Sequence, residues 1–559
     1  MRRGLLGGGL SLWAAACSSS STQPKLAPCT AASAGHVSLP VAGDTAIDPT
    51  ESAGCAVFGA NASAAALLYL LVPQPVSGVP DDSSGFRLQG ATVPAAVAPL
   101  AAVTQGTAVV PAQQQFDLTL RRAERDLAGR VGGANRPYAA APLLRGPPAV
   151  GDRRVFKVCG NANCTTHPTV VAFARNVGAH IAVFQDSADE ANGRALSSVD
   201  LDTLRALFDT LLYAADTAAF GRESDIDNNG VVIVLMTGSV NSLVPSPCTQ
   251  GYIGGYFYGG DLLTGFSGGN ASEIFYSIVP DPSGILSCTH SAAGVKRAVP
   301  STFIHEFQHM ISFNQHVLLR GNRNGEDLWL NEGLSHYAEE LGARLFLPGD
   351  STTFCSFIFG DLYNSAQYLA TPESHFLVDT VGIGGLANRG AYWLFVRFLV
   401  DQFSSDTTRS ANNVVTRALD RTTFTGAANV SNATGTPFAT VFERWALANY
   451  VSDLSSFAAP PELRYKRWRF RTDYQTVHNT CVGKLGASPP PFPSAYPLFP
   501  PSGDGSGINL VGTLHSGSGS YYIAQQAAGA PGFTLLFSNS TGYPLRVSLA
   551  PRLNVLRLQ

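Results

Sequence analysis

The chain has 559 residues, of which 45% are hydrophobic and 14% are charged, and its formal net charge is −3. This length is too great for one hydrophobic core, so two to four domains are expected, and the apolar fraction is ordinary for a globular protein. The near-neutral charge excludes the strongly basic surface that nucleic-acid binding requires.

The N-terminus has the pattern of an export signal. A basic start precedes a short apolar stretch over residues 4–16, which ends in three alanines directly before Cys17. Such a stretch is typical of a signal peptide and is too short for a membrane span. Cys17 resembles the lipidated cysteine of a bacterial lipobox, although Ala14 stands where such boxes usually carry Leu. We expect a lipoprotein-type signal over residues 1–17, a linker over 18–35, and a place in the bacterial cell envelope, with ordinary secretion as the alternative.

The remaining cysteines favour disulfide bonds. Eight are left after Cys17, and an even number in an exported chain indicates a disulfide framework. The sequence alone does not determine which cysteines pair. The simplest pairing joins neighbours along the chain: Cys29 with Cys55, Cys159 with Cys164, Cys248 with Cys288, and Cys355 with Cys481.

The first segment after the linker has the pattern of a small β domain. Residues 36–111 contain short apolar runs, such as 66–72 and 86–89, separated by Gly, Pro, Asp and Ser. We predict a β-sandwich there. Residues 112–150 follow as an amphipathic helix, predicted over 113–130, and a Pro-rich connection.

Residues 151–350 alternate between strand and helix patterns. A helix is predicted after Ser198 because apolar residues recur there at helical spacing. Strands are predicted over residues 154–158, 169–174, 180–184, 231–236 and 273–279.

A short acidic segment within this region resembles half of a calcium loop. Asp225, Asp227 and Asn229 occupy positions 1, 3 and 5, and Gly230 occupies position 6. Position 12 is Met236, where a calcium loop would carry a bidentate Glu. A Ca²⁺ site and a metal-free Asx turn both remain open.

The segment Ser301–Met310 carries the strongest chemical signal in the chain. His305 and His309 are four residues apart, so both imidazoles leave the same face of a helix. This spacing suits two nitrogen ligands of one tetrahedral Zn²⁺ and leaves Glu306 beside the metal, where it can take a proton from water. The flanking residues are apolar and predict a buried helix, in which such a polar cluster without a metal would be costly.

A third ligand is needed, and Glu332 is the candidate. It follows His309 by 23 positions and opens a second apolar helical stretch that should pack against the first. Glu339 lies seven residues further along that helix, roughly 10 Å away, which is too far to share the ion with Glu332.

These residues, together with Trp329–Gly333, resemble the gluzincin metallopeptidases, and most closely the hyicolysin family of bacterial secreted proteases. The resemblance covers about residues 150–350 and is fainter to about 455. It implies an α+β chain with a zincin-like catalytic domain, flanked by small all-β domains. In such a domain the strand before the metal helix, here 273–279, is the edge strand that lines the cleft and pairs with extended substrate. The resemblance also implies that His305, His309 and Glu332 hold zinc, that Glu306 is the general base, and that residues 351–480 form a helical lobe across the cleft.

Two further roles follow from the resemblance. An electrophilic partner for the oxyanion is expected, and His336 or Tyr337, about one turn after Glu332, could serve. Thermolysin-like relatives carry an Asp at the position of His336, where it orients a zinc histidine. Here that carboxylate must come from elsewhere, and Glu339 and Glu340 lie on the same helix.

The last third of the chain is predicted to be helical and then β. Apolar helices are expected over residues 390–400 and 441–450, and the first is too short for a membrane span and contains Arg397. A Pro-rich linker follows over 481–502, and a separate all-β module over 503–559.

The sequence therefore predicts a zinc-dependent endopeptidase that cleaves extracellular or periplasmic proteins. A zinc aminopeptidase is one alternative, since it would share the Trp-Leu-Asn-Glu-Gly run, but the chain lacks the Gly-x-Met-Glu-Asn element that binds a substrate amine. An inactive peptidase scaffold used for binding or adhesion is the other. The presence of Glu306 argues against it.

Overall fold

The computed structural model describes residues 24–92, 111–131, 146–380, 385–404, 414–486 and 490–559. The predicted signal sequence and Cys17 lie outside these ranges. Within them the chain is α+β, with a two-sheet β-sandwich, a six-stranded sheet and a set of packed helices. The helices of these ranges include none with the length and apolar character that crossing a membrane would require.

Strands from both ends of the chain build the sandwich. One sheet has the order β1-β3-β15-β5-β13 and the other β12-β14-β4-β16-β2. The strands are β1 (His36–Val37), β2 (Asp44–Ile47), β3 (Cys55–Phe58), β4 (Leu67–Pro75), β5 (Ser83–Thr92), β12 (Ser502–Asp504), β13 (Asn509–His515), β14 (Tyr522–Gln526), β15 (Phe533–Asn539) and β16 (Pro551–Arg557).

This arrangement corrects the prediction of two separate β domains over residues 36–111 and 503–559. β15 lies between β3 and β5, and β4 lies between β14 and β16, so each end of the chain supplies neighbours to the other. In the shared core the ring of Phe58 stacks on that of Phe533, with centroids 4.2 Å apart. Strand patterns are local in sequence, whereas this pairing spans most of the chain, and so it could not be predicted from them.

The continuous apolar run of β4 has a physical explanation. Tyr69 and Leu71 point into the sandwich core, and Leu70 and Val72 belong to the main core of the molecule. A strand buried on both faces loses the alternation of polar and apolar residues. The sandwich therefore rests directly on the rest of the protein.

The six-stranded sheet has the order β10-β11-β9-β8-β7-β6, in which β8, β9 and β11 run parallel. Its strands are β6 (Arg153–Lys157), β7 (Thr169–Val177), β8 (Ile181–Asp186), β9 (Val232–Met236), β10 (Gly255–Phe257) and β11 (Ile274–Ser277). The predicted strand over 273–279 is β11, which is paired on both sides, so its assignment as the edge strand was wrong. The edge is the antiparallel β10, which is only three residues long and begins with glycine, and was therefore missed.

Helices cover this sheet and form the lobe opposite its β10 edge. The α-helices are α1 (Ala112–Val131), α2 (Ser187–Ala191), α3 (Ser198–Leu207), α4 (Tyr213–Phe220), α5 (Gly238–Asn241), α6 (Ala292–Phe313), α7 (Leu328–Arg344), α8 (Ser351–Ala370), α9 (Gly385–Phe403), α10 (Val414–Asp420), α11 (Gly426–Thr434), α12 (Phe438–Val451) and α13 (Phe470–Cys481). The predicted amphipathic helix over 113–130 is α1, and its side chains contact β10 of the six-stranded sheet.

Four disulfide bonds join the eight described cysteines. The pairs are Cys29–Cys55, Cys159–Cys164, Cys248–Cys288 and Cys355–Cys481, which confirms the neighbour pairing.

The shared sandwich core can be tested from its C-terminal half. We expect Phe533→Ala to lower the free energy of unfolding of the sandwich by about 3–5 kcal/mol, because it removes a buried aromatic ring. Hydrogen exchange measured by mass spectrometry should accelerate in β3, close to residue 58. The matched control is Phe499→Ala, since Phe499 is 77% exposed. Unchanged exchange in β3 would mean that the two ends of the chain fold independently.

Candidate metal centre

Helices α6 and α7 bring three potential ligands together. The Nε2 atoms of His305 and His309 are 3.2 Å apart. The two Glu332 carboxylate oxygens lie 3.6 Å from His305 Nε2 and 3.5 Å from His309 Nε2. All three side chains are buried. The predicted triad therefore converges on one point and could hold a metal ion.

A carboxylate orients His305. Its Nδ1 donates a hydrogen bond of 2.8 Å to Glu339 Oε1, and His336 Nδ1 lies 3.0 Å from the same oxygen. His336 Nδ1 is also 3.1 Å from Asp361 Oδ1 on α8. The sequence left two candidates for the carboxylate that orients a histidine, Glu339 and Glu340. The structure places Glu339 in that position. Glu339 directs the Nε2 lone pair of His305 towards Glu332.

His309 is oriented by different groups. Its Nδ1 lies 3.1 Å from Asn331 Oδ1 and 3.1 Å from Ser335 Oγ. Asn331 can only accept through this oxygen, so Nδ1 carries the proton and Nε2 is left as the ligand atom. Ser335 in turn donates to Gln308 Oε1 at 2.6 Å.

The Glu332 carboxylate is arranged for a cation. Neither oxygen has a hydrogen-bond partner within the described residues. Its other charged neighbour is Arg389 of α9, whose Nη2 is 3.4 Å from Oε2. Burial opposes ionisation, but Arg389 and the two histidines outweigh it and hold the pKa of Glu332 well below its usual range. An ionised, buried carboxylate without hydrogen bonds is a typical metal ligand.

Glu306 lies beside this point on the sheet side. Its Oε2 accepts a hydrogen bond of 2.9 Å from the backbone N–H of Phe257 in β10, and Arg121 Nη2 of α1 is 4.0 Å away. Burial raises the pKa of Glu306 to about 8. The predicted general base therefore contacts the sheet edge, and it lies on the same helix as the two histidines.

The other two predicted site residues have different surroundings. His336 reaches His305 from the side of Nδ1, away from the ligand nitrogen, with ring centroids 4.9 Å apart. The Tyr337 ring packs under the Arg397 guanidinium, 5.1 Å from its carbon. Arg397 also pairs with Glu340, so Glu340 belongs to this buried cluster. The oxyanion role predicted for His336 or Tyr337 stays a prediction.

A second carboxylate cluster lies at the predicted calcium loop. Asp225 and Asp227 meet Glu273, which directly precedes β11, with ligand atoms within 4.8 Å of one another. Glu273 Oε1 accepts from the Ser224 hydroxyl and the Ile226 N–H, while its Oε2 is buried without a hydrogen-bond partner among the described residues. The Asn229 side-chain oxygen accepts from the Val231 N–H instead. Glu273 was missed because it is 43 or more positions from the loop.

Several residues of the centre were not identified from the sequence. Asn331 directly precedes Glu332, and this position next to a predicted ligand was the only sequence feature that could have indicated its contact with His309. Asp361, Arg389 and Arg121 come from three helices distant in sequence, and no local pattern distinguishes them. Only the packing of the helices brings them to the ligands.

Comparison with known proteins finds a relative that matches part of the chain. The chain is 31% identical over 196 residues to the neutral metalloprotease ShpI of Staphylococcus hyicus. The match covers 35% of this chain and 40% of that protein. No protein-family model matches the chain.

The roles of the two glutamates of α7 can be separated by metal content. We expect Glu332→Ala to lose nearly all bound zinc, because it removes a ligand. Glu339→Ala should retain the ion with an affinity reduced about 10- to 100-fold, because it removes only the group that orients His305. Zinc titration with a competing chelator measures both, and Glu51→Ala, at an exposed position, is the control. A full zinc complement in Glu332→Ala would overturn the ligand assignment.

Proposed function

We propose that this protein is a zinc-dependent endopeptidase of the hyicolysin type, with a zincin-like catalytic domain. The observation that carries the proposal is the mutual spacing of the three ligand groups. Donor atoms about 2.0–2.2 Å from a tetrahedral zinc ion lie roughly 3.3–3.6 Å from one another. The spacings at this centre are 3.2, 3.5 and 3.6 Å. The similarity to neutral metalloprotease ShpI supports the same reading.

The residues of this chain then have separate tasks. His305, His309 and Glu332 would hold the zinc, which supplies Lewis acidity that polarises the scissile carbonyl and acidifies water. Glu306 takes the proton of the attacking water and passes it to the leaving amine. Its hydrogen bond to the Phe257 N–H fixes the carboxylate between the sheet edge and the ligand cluster.

The shape of the site favours an extended substrate. β10 is an edge strand of the six-stranded sheet, and the Phe257 N–H points away from β11 and donates to Glu306. An extended peptide can add to such an edge as a further strand. A chain that runs along the whole edge would be cut internally, which supports an endopeptidase over the aminopeptidase alternative.

The setting is proposed to be extracytoplasmic. The four disulfide bonds are typical of exported proteins, so the substrates would be extracellular or periplasmic proteins. Anchoring through a lipidated Cys17 is part of this proposal. It rests on the sequence pattern alone.

Replacement of the general base tests the mechanism. Glu306→Gln should keep the fold and the zinc and should lose proteolysis by about 10²- to 10⁴-fold, because the amide cannot accept the proton of water. Zinc content and cleavage of casein, with product mapping by mass spectrometry, are the measurements. Internal cuts by the unaltered chain distinguish an endopeptidase from an aminopeptidase. Near-normal turnover by Glu306→Gln would reject the mechanism, and a zinc-loaded chain without turnover would favour the binding scaffold.

We also propose that the cluster of Asp225, Asp227 and Glu273 binds a structural Ca²⁺. Three carboxylates supply the oxygen ligands that Ca²⁺ prefers. Asp227 and Glu273 are buried, and Glu273 Oε2 is directed to no other group of the described chain. Arg154 Nη1, 3.7 Å from Asp227 Oδ2, balances only part of this charge.

Calcium titration of the zinc-loaded protein checks this site. We expect calorimetry to detect one Ca²⁺ per chain and a rise in melting temperature on binding. Glu273→Gln should weaken binding at least tenfold, because it removes a charged ligand. Glu190→Gln is the control, since Glu190 forms a surface pair with Arg175. Equal calcium affinity in the two variants would exclude the cluster as a site.

A further inference from the structure

Helix α1 lies along β10, an edge strand of the six-stranded sheet. Gln113 accepts a hydrogen bond of 2.7 Å from the Gly254 N–H and donates one of 3.1 Å to the Gly255 carbonyl. Arg121 Nη2 donates to the Phe257 carbonyl at 3.2 Å. One turn further along, Glu124 Oε1 accepts from the Gly259 N–H at 3.1 Å. Side chains of α1 therefore occupy the backbone groups of β10 and its flanks that face away from the sheet.

The same helix contacts the opposite wall of the cleft. Arg389 Nη2 of α9 donates to Asp117 Oδ2 at 2.5 Å, and Gln114 Nε2 donates to the Gly385 carbonyl at 2.8 Å. Arg125 pairs with Asp327 at the start of α7, at 3.0 Å. α1 thus fills the space between the sheet edge and the helical lobe.

At the centre of this space α1 reaches the groups that the proposed reaction uses. Arg121 stands 4.0 Å from Glu306, and Arg389 is shared between Asp117 and Glu332. An extended peptide at β10 would need the Gly255 and Phe257 carbonyls and access to Glu306. Because α1 holds these groups, α1 and a substrate cannot be bound together.

The buried face of α1 is unlike that of a core helix. Four of its nine buried side chains are polar or charged, namely Gln114, Asp117, Arg121 and Glu124. The apolar members include Phe116, whose ring meets Tyr256 of β10 edge to face at 5.2 Å. A contact that combines an apolar centre with many polar groups resembles the interface of a separable partner more than a permanent core.

We propose that α1 is a built-in inhibitor of the cleft, and that an extended polypeptide enters only when α1 is displaced or cut. This inference rests on the proposed peptidase function for its biological meaning. That α1 and an extended peptide exclude each other depends only on the backbone groups of β10 that both would bind. The alternative is that α1 belongs to the working site, with Arg121 as a group that contacts the substrate. Displacement of α1 should raise the peptidase activity if α1 is an inhibitor and lower it if α1 belongs to the working site.

Displacement can be produced by one charge reversal. Asp117→Arg places a cation against Arg389 and should repel α1 from the lobe. Asp126→Arg makes the same change on the exposed face of α1 and is the matched control. In cleavage of a quenched fluorogenic casein, we expect Asp117→Arg to raise kcat/KM at least tenfold over Asp126→Arg at equal zinc content. Equal or lower activity would overturn the proposal.

A binding measurement separates this inference from the proposed reaction. In the Glu306→Gln background, fluorescein-labelled casein should bind at least tenfold more tightly to the Asp117→Arg chain than to the Asp126→Arg chain, as measured by anisotropy. Tighter binding without any turnover by the parent chain would uphold α1 as the cover of the cleft and reject the peptidase. Equal binding by the two chains would reject the cover.

Limited proteolysis tests the unaltered protein, and so does not depend on the folding of a variant. Arg122 is an exposed trypsin site within α1. Mass spectrometry maps the cuts over time while activity is followed. Activity that rises in step with cleavage within α1 supports the proposal. Activity that stays constant or falls as α1 is cut contradicts it.

Discussion

The close contact between α7 and α9 is the constraint on which the metal centre depends. A side chain on Gly333 would place its Cβ 2.9 Å from the Tyr392 carbonyl, so only glycine allows the two helices to approach this closely. This approach carries Arg389 to within 3.4 Å of Glu332 and sets the depth at which that carboxylate meets the histidines. Three consecutive residues thus have three places in the centre: Asn331 contacts Nδ1 of His309, Glu332 is the proposed ligand, and Gly333 allows the packing.

The second turn of α7 carries the proposed ligand Glu332, and Glu339, two turns further on, orients His305. Glu339 lies seven residues beyond Glu332 on the same face of α7. Its carboxylate therefore contacts Nδ1 of His305 and not the point where the three proposed ligands meet. His336 contacts the Glu339 carboxylate through its Nδ1, and Asp361 contacts the same nitrogen of His336. This chain of hydrogen bonds explains why an Asp one turn after the ligand is not needed here. The histidine at that position supports the orienting carboxylate.

The sequence patterns predicted the features that depend on residues close together along the chain. The spacing of His305 and His309 follows from one helix, and Glu332 was found because it opens the next helix along the chain. The predicted strands and α1 are present for the same reason. The edge strand was assigned wrongly because β10 is too short to give a periodic signal. The sandwich, Arg389 and the position of α1 were not predicted, because they depend on contacts between segments hundreds of residues apart.

Charge balance connects the metal, the cleft and α1. With α1 in place, four carboxylates surround the centre, those of Asp117, Glu124, Glu306 and Glu332, and two guanidiniums oppose them, those of Arg121 and Arg389. Burial raises the pKa of Glu124 to about 7, as expected where negative charge is in excess and water is scarce. A divalent cation held by neutral histidines would add positive charge to a centre in which carboxylates are in excess. Because α1 brings one guanidinium and two carboxylates, its net negative charge would complement a cation bound in the cleft.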